Sequence, residues 1–215
     1  MKIPNLGLIP GVLAGLALCH SAWAVDFGVM ETAESIEPKA FKLVGFPLVT
    51  DRGNDNEESA FAVGLGYGLP FGLDIEGQVA HDDQANYFGS DVEWNAWSGY
   101  RMKVSIGSGL HTVDLHDGGR ANGADTTAIF TYTPVRHLDV NAALDASYED
   151  VNAGSGIDPT LPERWRSDNR YETAYFAPGI EYQLMRNLDL LAEVGLGLTD
   201  QSDDYASAGL SWYLR

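Results

Sequence analysis

The sequence has one cysteine, Cys19, in 215 residues, and 13 Lys and Arg against 31 Asp and Glu. A single thiol excludes a disulfide framework and a multi-cysteine metal site. So few basic residues, scattered through a chain of net charge −18, exclude a phosphate-tracking nucleic-acid surface. Beyond Trp23 there is no run of ~20 apolar residues, so no transmembrane helix is expected there. Helical periodicity is scarce as well. Glycine is plentiful, with 24 residues, and the 45% hydrophobic content is too high for an acidic disordered chain.

The first residues have the layout of an export signal. Lys2 supplies a positive start, Leu6 to Cys19 is mostly apolar, and Ala22-Trp23-Ala24 has small residues at the two positions a signal peptidase reads. Cleavage after Ala24 makes 1–24 a signal peptide and leaves a mature chain without cysteine. Leu16-Ala17-Leu18-Cys19 partly resembles a lipobox, with Leu18 where a small residue is expected. Residues 25–39 are expected to be a lead-in segment, either inside a barrel mouth or disordered, and 40–215 the folded domain.

That domain alternates with a period of two. Leu73, Ile75 and Val79 alternate with Asp74, Glu76 and Gln78. Leu138, Val140, Ala142, Leu144 and Ala146 alternate with Asp139, Asn141, Ala143, Asp145 and Ser147, and the pattern returns from Leu188 to Leu198. Such alternation puts one set on each face of a sheet. A repeat sharpens it: Tyr67, Tyr132 and Tyr182 are each followed six residues later by Leu-Asp, at Leu73-Asp74, Leu138-Asp139 and Leu188-Asp189. The spacers suit tight turns, and Pro70 and Pro134, which cannot donate to a ladder, are expected in them. Longer polar stretches lie between these hairpins: 51–58, 81–91, 114–125, 149–170 and 200–204. Strands are expected near 40–49, 59–69, 73–81, 91–100, 103–113, 126–133, 138–148, 171–183, 188–198 and 205–214. Most have lengths near the ~9–11 residues that cross a bilayer at a tilt.

Ser207-Ala208-Gly209-Leu210-Ser211-Trp212-Tyr213-Leu214 carries a polar residue, a glycine and two hydrophobic residues spaced by one. This end resembles the C-terminal assembly signal of small Gram-negative outer-membrane β-barrel proteins. Ser207, Gly209, Trp212 and Leu214 stand at its positions, with Leu214 in place of the usual terminal aromatic and Arg215 after it. The resemblance implies an all-β fold, a closed antiparallel up-and-down transmembrane β-barrel of about ten strands, with eight or twelve as alternatives. It also implies the outer membrane, contact with its lipid and lipopolysaccharide, and handling by the barrel-assembly machinery. A monomer without cofactor, metal or nucleic-acid partner is expected.

A spanning sheet must close, with apolar residues outward and aromatics at the interfaces. Tyr67, Tyr100, Tyr132, Tyr182 and Trp212 fall near the short-turn end and are expected to form one girdle. Trp94, Tyr148, Tyr175 and Tyr205 are expected to contribute to the other. The opposite face then lines the lumen with Asp74, Glu76, Glu93, Asp139, Asp145, Glu181, Asp189 and Glu193. Arg101, Lys103 and His111 are the inward bases, and Arg101 and Lys103 are expected within reach of Glu76 or Glu93. Small residues such as Ala60, Ala62, Gly64 and Gly66 share that face.

The charge network reads as a plug in a structural or surface-binding, non-catalytic barrel. The alternatives are a narrow cation-preferring pore, a lipid-modifying enzyme (hydrolase or acyltransferase), and a soluble periplasmic β-sandwich or lipocalin-like binder. An enzyme would draw on His111 with Ser105, Ser108 and Asp114, or on His81-Asp82-Asp83 with His116-Asp117. Asp55, Glu57 and Glu58, or Asp200, Asp203 and Asp204, have oxygen ligands for calcium but not the spacing of a known calcium loop. Arg164, Trp165, Arg166 and Arg170 form the one basic cluster and suit lipid phosphates. Gly64-Leu65-Gly66-Tyr67-Gly68 precedes no helix, so it reads as strand rather than nucleotide loop.

Overall fold

The computed structural model describes residues 32–51, 57–116, 119–152 and 169–215. The expected signal peptide, Asp55, Asp117, and Arg164, Trp165 and Arg166 lie outside these residues. Ten antiparallel strands close into one barrel: β1 (Phe41–Asp51), β2 (Glu57–Leu69), β3 (Leu73–His81), β4 (Ala85–Ser98), β5 (Met102–Leu115), β6 (Arg120–Val135), β7 (Leu138–Asn152), β8 (Asn169–Met185), β9 (Leu188–Gly197) and β10 (Asp204–Leu214). Each strand pairs with its sequence neighbours, and β1 pairs with β10 from Phe41–Leu214 to Asp51–Asp204 to shut the ring. Closure leaves no edge strand unpaired, the condition for a sheet to exist in hydrocarbon. No helix among the described residues is long and apolar enough to cross a membrane.

Two residues suffice for some connections at one end. Val135 pairs with Leu138 around Arg136-His137, and Met185 with Leu188 around Arg186-Asn187. In the β2–β3 turn both Phe71 and Gly72 have positive φ, at 72° and 71°. That geometry matches the right-handed twist of the flanking strands. The repeated Tyr is therefore not the strand end: β2, β6 and β8 run on to Leu69, Val135 and Met185. Pro134 sits inside β6 rather than in a turn, at a register shift between Tyr132 and Val135 that spares the ladder its missing N–H.

Two expected loops are largely strand. β4 starts at Ala85, and the Asp82 carboxylate closes the 82–84 turn by accepting the Gln84 and Ala85 N–H groups at 2.7 and 2.6 Å. β6 starts at Arg120, with Asp114 and Arg120 paired at 2.6 Å across the β5–β6 connection. The polar residues that suggested loops lie on strands that extend past the apolar band.

The two faces separate as a membrane barrel requires. Leu43, Phe61, Leu65, Ile75, Leu110, Phe130, Leu144, Ile180 and Leu210 stand exposed on the outside. The fully covered side chains point inward, where Phe46, Ile129, Val113 and Val151 are among the largest. An apolar exterior around a filled interior is the inverse of a soluble sandwich, in which the apolar face is the one hidden.

Candidate functional site

The lumen is the site, and the strand register decides what enters it. On β3, Asp74, Glu76, Gln78 and Ala80 face in because Ile75 and Val79 face out. Lys42 is inward on β1 by the same alternation, between exposed Phe41 and Leu43. It forms the interior ion pair with Glu76, Nζ to Oε1 at 2.8 Å, with both side chains about nine-tenths buried. Sequence reasoning missed Lys42 as a lumen base, although the Phe-Lys-Leu alternation contained the signal.

The expected inward bases separate. Arg101 is exposed in the β4–β5 turn, its guanidinium 5.5 Å from the Tyr100 ring centroid, and does not line the lumen. The tight turn turns it outward. Lys103 faces in but pairs with Glu34 of the lead-in at 2.8 Å, not with Glu76 or Glu93. His111 is fully buried, with Nδ1 3.3 Å from Asp125 and Nε2 3.9 Å from Glu149, stacked on Tyr87 at 5.3 Å between centroids. Asp125 and Glu149 had been assigned to loops.

Glu93, Asp145, Asp189 and Glu193 are buried. Ser147 donates to Asp145 at 2.9 Å and Tyr205 to Glu193 at 2.7 Å. Hydrogen bonds and ion pairs of this kind are what allow charge to remain inside. Asp139 and Glu181 lie opposite one another on β7 and β8, at the turn end.

Towards the loop end an apolar and aromatic cluster fills much of the lumen. Phe46, Leu48, Val113, Leu115 and Val151 form one cluster with Tyr87, Tyr171, Tyr175 and Tyr205. Tyr175 and Tyr205 meet edge to face at 5.6 Å, and the Tyr205 ring occupies the room left by Gly195. These two tyrosines belong to the interior, not to the upper girdle. Trp94 belongs to the opposite end, because it pairs with Leu73 beside the β2–β3 turn. Tyr67, Tyr132, Tyr182 and Trp212 lie on the outer face near the turn end, and Tyr100 is almost fully exposed in a turn there. In β10, Ser207 and Gly209 face in, while Trp212 and Leu214 face out.

The described part of the lead-in, residues 32–39, lies inside the barrel at the turn end. The Ala33 N–H donates to Thr131 Oγ1 on β6 at 2.8 Å, the Ile36 N–H donates to Asp74 Oδ2 on β3 at 2.9 Å, and Asn95 Nδ2 on β4 donates to the Ala33 carbonyl. Residues 32–40 thus run across the lumen from β6 to β2. The inward glycines of β2 are shaped to them: a Cβ on Gly66 would sit 2.6 Å from Ile36 Cδ1, and one on Gly68 would overlap the Ile36 and Glu37 carbonyls. These glycines make room for chain rather than for water. Beside the segment, a cavity of about 280 Å³ remains at the turn end.

The hydrolase parts do not assemble. Ser108 donates its hydroxyl to the Asp125 carbonyl from the opposite strand face to His111, and Ser105 is six residues along β5 from it. His81 and His116 lie near each other at the loop end, 5.8 Å between ring centroids, bridged by Asn86. Asp82 is used up by its turn. Asp204 accepts the Gly197 N–H at 2.8 Å. Among the described residues no group of three His, Cys, Asp or Glu has metal-binding geometry.

The barrel matches the solved structure of an outer-membrane channel from Pseudomonas putida F1, with a TM-score of 0.54 over 89% of this chain and 99% of that one, at 11% identity. This is an outer-membrane β-barrel fold. A KdgM porin aligns with the outer-membrane barrel over 80% of this chain and 98% of its own, at TM-score 0.48 and 10% identity. No protein-family model matches the chain, and no curated protein matches it. At such identities the likeness is one of fold.

Proposed function

We propose that this chain is a monomeric, non-catalytic outer-membrane barrel with a structural or surface-binding role, whose lumen is closed to solutes. The turn end faces the periplasm and the loop end faces lipopolysaccharide, with Ser207, Gly209, Trp212 and Leu214 presenting the last strand to the assembly machinery. The observation that carries the reading is residues 32–40 crossing the lumen over inward glycines that no side chain could replace without displacing them. The buried ion pair of Lys42 and Glu76, and the tyrosine cluster above it, add to the seal. Closure here combines chain, charge and apolar packing, whereas a charge network alone was expected from the sequence.

A narrow cation-preferring pore is the second reading. The excess of inward carboxylates favours it, and so does the fold shared with a protein described as a channel. Planar-bilayer recording on the mature chain separates the two. The closed reading expects silence from protein that migrates in the heat-modifiable way of a folded barrel. Discrete cation-selective steps would establish the pore instead.

A further inference from the structure

The cavity at the turn end is walled by two of the three repeated hairpins, and these two carry an arginine that the other lacks. Arg136-His137-Leu138-Asp139 and Arg186-Asn187-Leu188-Asp189 both place Arg three residues before Asp, whereas the first repeat reads Phe71-Gly72-Leu73-Asp74. Arg136, Asp139, Arg186 and Asp189 all line the cavity. Its other opposite charges pair off: Lys103 with Glu34 at 2.8 Å and Arg215 with Glu37 at 3.3 Å. Arg136 and Arg186 remain exposed at the rim, with no acid partner among the described residues.

The inner wall is complementary. Asp189 is 4% exposed, and the Oδ1 atoms of both Asp139 and Asp189 lack a hydrogen-bond partner. Glu181 stands between them on β8, opposite Asp139. A buried carboxylate oxygen left without a donor is costly, so a cavity wall built from residues that keep two of them is suited to a donor from outside. The first repeat shows what such a donor does: Asp74 Oδ2 accepts the backbone N–H of Ile36 at 2.9 Å, although its Oδ1 is unpartnered as well. Where the lead-in bonds one oxygen of the aspartate the arginine is missing. Where it does not, the arginine is present.

We propose that this cavity, with Asp139 and Asp189 on its inner wall and Arg136 and Arg186 on its rim, binds a small zwitterion, its ammonium directed inward and its oxyanion held at the mouth. Arginine suits the anionic end because its planar fork takes carboxylate or phosphate oxygens in pairs. A volume of about 280 Å³ limits the enclosed part to a small molecule, on the order of ten heavy atoms. A free metabolite or peptide terminus has this chemistry, and so does an ethanolamine phospholipid headgroup. The site does not depend on whether the lumen conducts.

The test is calorimetric titration of the mature barrel in a maltoside detergent with O-phosphoethanolamine and with glycylglycine, using ethylamine and acetate as half-ligands. Saturable binding of at least one zwitterion is expected, about tenfold or more tighter than either half-ligand. Arg136→Gln with Arg186→Gln is expected to reduce the affinity for the zwitterion to that of ethylamine. These exposed turn positions leave the fold intact, which heat-modifiable migration checks. Asp139→Asn with Asp189→Asn is expected to reduce it to that of acetate. Repeating the titration in nanodiscs identifies the source: loss of binding only in discs containing phosphatidylethanolamine assigns the site to the headgroup, and retention assigns it to a soluble zwitterion. No saturable binding of either zwitterion, affinity no better than the half-ligands, or unchanged affinity in the arginine double variant would overturn the proposal.

Discussion

At the scale of single residues, the interior is governed by partnership. Lys42 and Glu76 are nearly water-free and 2.8 Å apart. A buried pair is weak evidence for stability as a whole, but removing one partner leaves the other charged and unsolvated. Lys42→Ala is therefore expected to destabilise the barrel by about 3–5 kcal/mol, read as a lowered urea midpoint in detergent micelles. Lys42→Ala with Glu76→Ala is expected to recover much of that loss. If the single variant unfolds like the parent, the pair is solvated and the lumen is wetter than its burial implies. Arg101 shows the opposite case: a base adjacent to the inward set in sequence, but placed in a turn, contributes nothing inside.

At the scale of elements, strands with uninterrupted alternation were legible in the sequence and the others were not. Leu138 to Ser147 reads the same in sequence and structure because each apolar residue meets lipid and each small or polar one meets the lumen. Ala85 to Asp91 was read as loop because Asp82 and Asp83 precede it and the outward set includes Asn86 and Ser90, polar residues in outward positions. The inward tyrosines misled for a related reason. An aromatic residue near a strand end fits either an interface girdle or a lumen filler, and only the register separates Tyr175 from Tyr182. The course of the lead-in has no local signal at all, since its bond from Ala33 to Thr131 joins residues 98 apart. Its complement is visible in the sequence without being interpretable: the glycines of β2 read only as small residues on the inward face. On the closed reading, deleting residues 25–39 is expected to turn a silent barrel into a conducting one while heat-modifiable migration is kept. Silence in the truncated protein would assign the seal to the tyrosine cluster alone.

At the scale of the whole molecule, the architecture was legible because closure, length and alternation all pointed to one answer, whereas the role of the lumen depended on contacts that no period encodes. The same architecture predicts where substitutions hurt. Leu144 is exposed on the outer face midway along β7, between Ala128 and Phe176. Leu144→Arg would put a charge against hydrocarbon and is expected to cost about 2–4 kcal/mol in lipid vesicles, measured by equilibrium unfolding. The same change at Tyr100, in a turn at the rim, is expected to cost about 0–1 kcal/mol. Equal costs at the two positions would mean that the exposed apolar band does not face lipid.

Because Phe41 pairs with Leu214, the chain enters and leaves the ring at the same rim, and residues 32–40 turn back into the mouth beside the strands that shut it. The seam is therefore also where that tail folds in. A reporter domain fused ahead of the lead-in would have to stay outside that rim, on the same side as one fused after Arg215. On the proposed orientation neither would reach the cell exterior, and a bulky N-terminal fusion would compete with the seating of the lead-in.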